Sequence, residues 1–275
     1  MIPTLMNVTC KLCGQVGPLD KSHVIPDFFI RGLEYESVTG SQGKTQPFSI
    51  LLSARPELKG GPKQRGHWEK TLGIKERLLC RVCERKFQKN EAYARTFLYG
   101  NTPPPLRKVA IGPTVDFSAQ PDPSGLLGER KAVANYGRLK LFQMSILWRA
   151  GVAEGSFFRE VNLGEFHEAK LRALLVAENP GLVTDYSCMM IDLQHNGKGC
   201  EDWIDQPRRT TDGHQCGYQF IIGGYLYLFT VSKQKPRPGL LSCCVRPSGE
   251  LIVPIANAKA ILRSRAVALR KLGRL

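Results

Sequence analysis

The stretch LLCRVCERKFQKNE, residues 78–91, sets a Cys80-x-x-Cys83 pair where a short apolar run gives way to a charged, helical pattern. A two-residue spacer makes a tight knuckle that presents two sulfurs to one ion. A second pair, Cys10-x-x-Cys13, lies upstream with 66 residues between the two. Four thiolates suit a tetrahedral zinc at about 2.3 Å, and a site closed by four is structural because no position stays open for water. The two pairs therefore predict one shared zinc ion with a small subdomain lying between them.

Inside that subdomain stands Ser22-His23-Val24-Ile25-Pro26, a histidine in a short apolar segment closed by proline. Directly after Cys83 comes Glu84, at a helix start whose first turns also carry Arg85, Lys86 and Lys89. Over residues 74–98 the pattern turns helical, with Phe87, Glu91, Ala94 and Leu98 on one face. One knuckle thus fixes a histidine at a strand end, and the other fixes a carboxylate at a helix start. Residues 36–72 form a long loop rich in Gly, Ser, Pro and Lys. Within it, Lys63, Arg65, His67 and Trp68 could stack a base or clamp a phosphate, or Trp68 could simply anchor the loop.

The chain of 275 residues has 42% hydrophobic and 23% charged residues, the composition of a globular protein. Its net charge is +15, with +7 in residues 1–95, +2 in residues 96–257 and +6 in residues 258–275. Such a balance favours polyanions through counterion release. The longest apolar run, Phe220 to Val231, is broken by Gly223 and Gly224 and falls short of the roughly 20 residues of a membrane helix. No signal peptide is legible, so a cytoplasmic location with no membrane partner is expected. Nine cysteines in such a compartment are thiols or metal ligands. Cys188, Cys200, Cys216, Cys243 and Cys244, which lack ligand spacing, read as buried small apolar residues.

The expected fold is α+β, with a module over 1–100, a linker over 101–129 and a second α+β domain over 130–275. The second domain reads as helices at 130–150 and 165–178 and strands at 183–193, 218–231, 240–246 and 250–254. A last amphipathic helix covers 257–272. Gly223-Gly224 predicts a two-residue hairpin turn within 218–231, and the strands are expected to form an antiparallel sheet.

Residues 8–98 resemble the HNH, or ββα-metal, endonucleases, in particular a bacterial variety with CxxC, then SHxIP, then LLCxxCExxFxxxE. The later stretches 139–150 and 163–175 are similar to what accompanies that module. The resemblance implies a zinc-stapled ββα-metal module that hydrolyses phosphodiester bonds in DNA, in the setting of defence against foreign DNA. His23 would be the general base. Glu84 would bind a catalytic Mg2+ or Mn2+ beside the structural Zn2+. Glu91 would support that metal or cap the helix surface. Arg85 and Lys86 would join Lys63, Arg65, His67 and Trp68 in contacting double-stranded DNA. Ser22 stands where the family often has Asp or His, and Lys75 where it has Asn. The competing expectation is a zinc-stabilised nucleic-acid-binding or adaptor protein whose HNH scaffold no longer cuts. A homodimer through residues 130–275 and a regulatory protein are the other partners considered.

Overall fold

The computed structural model describes residues 8–30, 75–103, 106–109, 114–116, 127–195, 198–201, 204–212, 215–232, 236 and 238–261. Lys63, Arg65, His67 and Trp68, and the expected last helix beyond residue 261, lie outside the described residues. The chain is mixed α+β. It opens with a hairpin of β1 (Val8–Thr9) and β2 (Val16–Gly17), followed by β3 (Leu19–His23) and a helical turn at 27–30. Then come β4 (Lys75–Cys80) and helix α1 (Arg81–Tyr99). Residues 75–80 are thus a strand rather than the expected first turns of the helix. Ser22 pairs with Glu76 and Leu19 with Cys80 across the antiparallel β3–β4 ladder. Leu78 and Leu79 are both buried while Arg77 is exposed, and the strand is decided there by its partner β3, which local periodicity cannot register.

The rest builds an eight-stranded sheet. Its strands are β5 (Thr114–Asp116), β6 (Leu127–Ala132), β7 (Cys188–His195), β8 (Lys198–Gly199), β9 (Ile204–Asp212), β10 (Gln215–Ile222), β11 (Tyr225–Thr230) and β12 (Glu250–Asn257). They run in the order β5-β6-β12-β7-β11-β10-β9, with β8 on β7. The ladder is antiparallel except where β12 meets β7 in parallel. The expected two-residue turn closes β10 onto β11, with φ of 60° at Gly223 and 79° at Gly224. Strand β5 and the start of β6 fall in the stretch read as a linker.

Helix α2 (Tyr136–Val152) begins later than expected, because Asn135 caps it by accepting from the Arg138 amide at 3.0 Å. All of Leu139–Ala150 is buried, so α2 is enclosed on every side. Helix α3 (Gly164–Val176) packs beside it. The expected strand at 240–246 is instead a short helix, α4 (Pro238–Ser242). Proline's fixed φ suits the first helical position, and five residues are too few for a period to show. Cys188 and Cys244 are buried as expected, whereas Cys200, Cys216 and Cys243 are only partly so. Arg209 Nε donates to Cys216 Sγ at 3.3 Å.

One continuous apolar cluster runs from Leu12, Val24 and Phe29 through Phe87 and Leu98 to Phe142, Trp148, Tyr225 and Val253. Its centre is aromatic. Phe29 meets Tyr99 edge-on at 6.0 Å and lies 6.4 Å from Phe142, while Tyr99 meets Tyr225 at 6.1 Å. The residues around both cysteine pairs and the large sheet therefore share a core.

Candidate functional site

Both cysteine pairs reach one point, and their four sulfurs lie within 4.8 Å of one another. The first clip is a turn between β1 and β2. It is closed by Gly14 N donating to Cys10 O at 2.9 Å, with Gly14 at a φ of 76° that favours glycine. The second is the start of α1. Cys80 is its N-cap and Cys83 lies three residues on, so both sulfurs occupy one side of the first turn. The Cys80 amide donates to Cys10 Sγ at 3.3 Å, and Cys13 Sγ lies 3.8 Å from Cys80 Sγ. A tetrahedron of 2.3 Å Zn–S bonds has edges of about 3.8 Å, so this donor set fits a metal ion such as zinc. Burial pushes the Cys10 thiol up, but the amides of Cys13, Cys80 and Leu12 outweigh it and bring it down to about 7. Cys83, buried among the other thiols, is pushed well up.

Strand β3 leads from this staple to His23. Val24 and Ile25, with 0% and 1% exposure, clamp the next two residues into the core. The ring remains partly open. His23 Nε2 lies 2.9 Å from Asp27 Oδ1, four residues on. Burial lowers the histidine's pKa, as do Lys75 and Arg149, while Asp27 and Glu91 pull the other way. The outcome is a lowered value, which keeps the imidazole neutral around neutral pH.

Glu84 sits in the first turn of α1, behind Cys83. Burial raises its carboxyl, with Glu91 and Asp20 adding to the rise. Arg149 opposes this, and so does the Ser22 hydroxyl, although neither Ser22 Oγ nor Glu84 Oε2 completes an ordinary hydrogen bond. His23 and Glu84 thus share Arg149 and Glu91 as neighbours. Ser22 Oγ and Glu84 Oε2 are buried polar atoms that complete no hydrogen bond. Such atoms are costly to bury without a partner.

Glu91 is held by the Arg149 guanidinium, whose Nη2 donates to Glu91 Oε1 at 2.6 Å. Lys86 turns toward α3, donating to Val176 O at 3.0 Å, whereas Arg85 is exposed. Among the described residues, the four cysteines alone form a group of three or more ligand atoms close enough to hold a metal. Glu84 therefore offers a single carboxylate rather than a ready cage. The sequence reading missed two residues. Asp27 stands only four residues after His23, and the bend between them brings its carboxylate back to the ring. Arg149 had no local signal, being 126 residues from His23.

No helix among the described residues is long and apolar enough to cross a membrane. Compared with family models, curated proteins and solved structures, the chain matches none of them.

Proposed function

We propose that residues 8–99 form a zinc-stapled ββα-metal (HNH-type) nuclease module that hydrolyses phosphodiester bonds in double-stranded DNA. The observation that carries this reading is that His23, paired with Asp27, and the half-buried carboxylate Glu84 both lie in the fields of Arg149 and Glu91, in a unit held by a four-thiolate staple. The order β3, β4, α1 supports it, with the histidine ending the first strand and the carboxylate opening the helix.

In this reading the four cysteines hold Zn2+ and have no part in the chemistry. Neutral His23 takes a proton from the attacking water, and Asp27 steadies the imidazolium that results. Glu84 is the carboxylate that would hold Mg2+ or Mn2+, which supplies stabilisation of the negative charge developing on the phosphate. A single carboxylate suffices for Mg2+, which keeps several waters and takes further oxygens from the phosphate. Exposed Arg85 contributes positive charge toward the backbone of the DNA.

One observation favours a second reading, a scaffold that binds nucleic acid without cutting. Glu91, a further carboxylate one heptad on from Glu84, is committed to Arg149. Plasmid nicking separates the two. The nuclease reading expects nicks in Mg2+ or Mn2+ that disappear in His23→Ala and Glu84→Gln, both still holding one zinc. The binding reading expects retention of DNA with no nicks in any divalent metal.

A further inference from the structure

We infer that Arg149 is a positioning residue of the His23 site, so that helix α2 completes the nuclease instead of being appended to it. This rests on the nuclease reading for its meaning, though not for its geometry. Arg149 has 0% exposure and its guanidinium is fixed from every side. Nε donates to Ser145 O at 3.3 Å and Nη2 to Ser145 Oγ at 3.4 Å, within its own helix. Its carbon lies 5.2 Å above the Phe87 ring of α1. From that anchored fork, Nη1 donates to His23 O and Nη2 to Glu91 Oε1, each at 2.6 Å.

The two short bonds do different things. The first ties down the backbone of His23 at the end of β3. The second grips α1 seven residues after Glu84, on the same helix face, and occupies one Glu91 oxygen. A planar guanidinium with both ends engaged fixes the spacing between the histidine strand and the carboxylate helix. A lysine, with one point of charge, cannot span both. Glu91 is thereby assigned as a brace, not a metal ligand.

The large sheet secures the other side of the histidine. Tyr99 Oη donates to Gly223 O at 2.6 Å. The β10–β11 turn also abuts Phe29, two residues beyond Asp27, so closely that a Cβ on Gly223 would lie 2.4 Å from the ring. Backbone and ring partner of His23 are therefore both set by residues beyond the first hundred.

A buried ion pair that only holds two helices together would look similar, so the test must tell them apart. The variants are R149M, R149K and the double variant E91Q/R149M, which leaves no lone buried carboxylate. Zinc content checks that the staple survives, and the His23 ring signal is identified in NMR by its loss in H23A. The expectation is a kcat on plasmid DNA lowered about 100-fold in all three, with KM within about threefold of the parent. The His23 ring signal should broaden or split in the double variant even though its fold is restored. If E91Q/R149M instead recovers the parent kcat, or keeps the parent's single sharp His23 signal, the positioning role is overturned. Should the parent protein not nick DNA at all, the nuclease proposal fails. The His23 signal then still decides whether Arg149 positions it.

Discussion

His23 carries the proposed chemistry, and its surroundings set when it can act. Burial, Lys75 and Arg149 lower its pKa from the ordinary 6.5 against the pull of Asp27 and Glu91. A base must be neutral, so nicking should persist to below pH 6.5 before its acid limb falls, as a pH–rate profile would show. Stability follows the same sign. The unfolded histidine takes up its proton at a higher pH than the folded one. The folded state thus loses stability as pH drops below about 6.5, and His23→Gln should flatten that decline in denaturant titrations from about pH 7 to about pH 5. At this scale the sequence was informative where residue type and short spacing sufficed. The cysteine clips, His23 and Glu84 could all be read from neighbours within a few positions. Asp27 was overlooked although it lies only four residues from His23. Arg149 was illegible, because nothing near residue 149 marks it as a partner of residue 23 or 91.

Two elements can be tested by single substitutions. Helix α1 begins at a cysteine that is both N-cap and staple, without any side-chain capping bond. Cys83→Ser should therefore lose the zinc and loosen the whole β3–β4–α1 unit, read as the loss of stoichiometric metal and of amide protection across residues 75–99. The β10–β11 turn is legible from Gly223-Gly224 alone, since both residues need positive φ. What the dipeptide does not show is where its tip goes, against Phe29 and Tyr99. Gly223→Ala should cost about 2–4 kcal/mol from left-handed strain plus overpacking, measured by chemical denaturation. Element type was harder to read where length was short or partners were remote. Residues 75–80 became a strand because β3 lies beside them, and residues 238–242 became a helix too brief to show a period.

Across the whole molecule, the common core and the Arg149 fork bind the first hundred residues to the rest. Arg149→Met should cost about 3 kcal/mol, since it removes the guanidinium from the partly buried Glu91 carboxylate, and E91Q/R149M should recover most of that. A fragment of residues 1–103 loses Phe142, Trp148 and Tyr225 from its core. It should give a poorly dispersed NMR spectrum even with zinc added. The class, α+β, was legible from alternating helical and strand-like segments. The way the parts join was not, because a core shared over two hundred residues leaves no local pattern. Whether the assembled site cuts is decided by plasmid nicking with full-length protein carrying one zinc, in Mg2+ and in Mn2+, alongside His23→Ala carrying the same zinc. Nicked circles from the parent and intact plasmid from His23→Ala are the expected result. Intact plasmid in both lanes, or equal nicking in both, would contradict a His23-dependent nuclease.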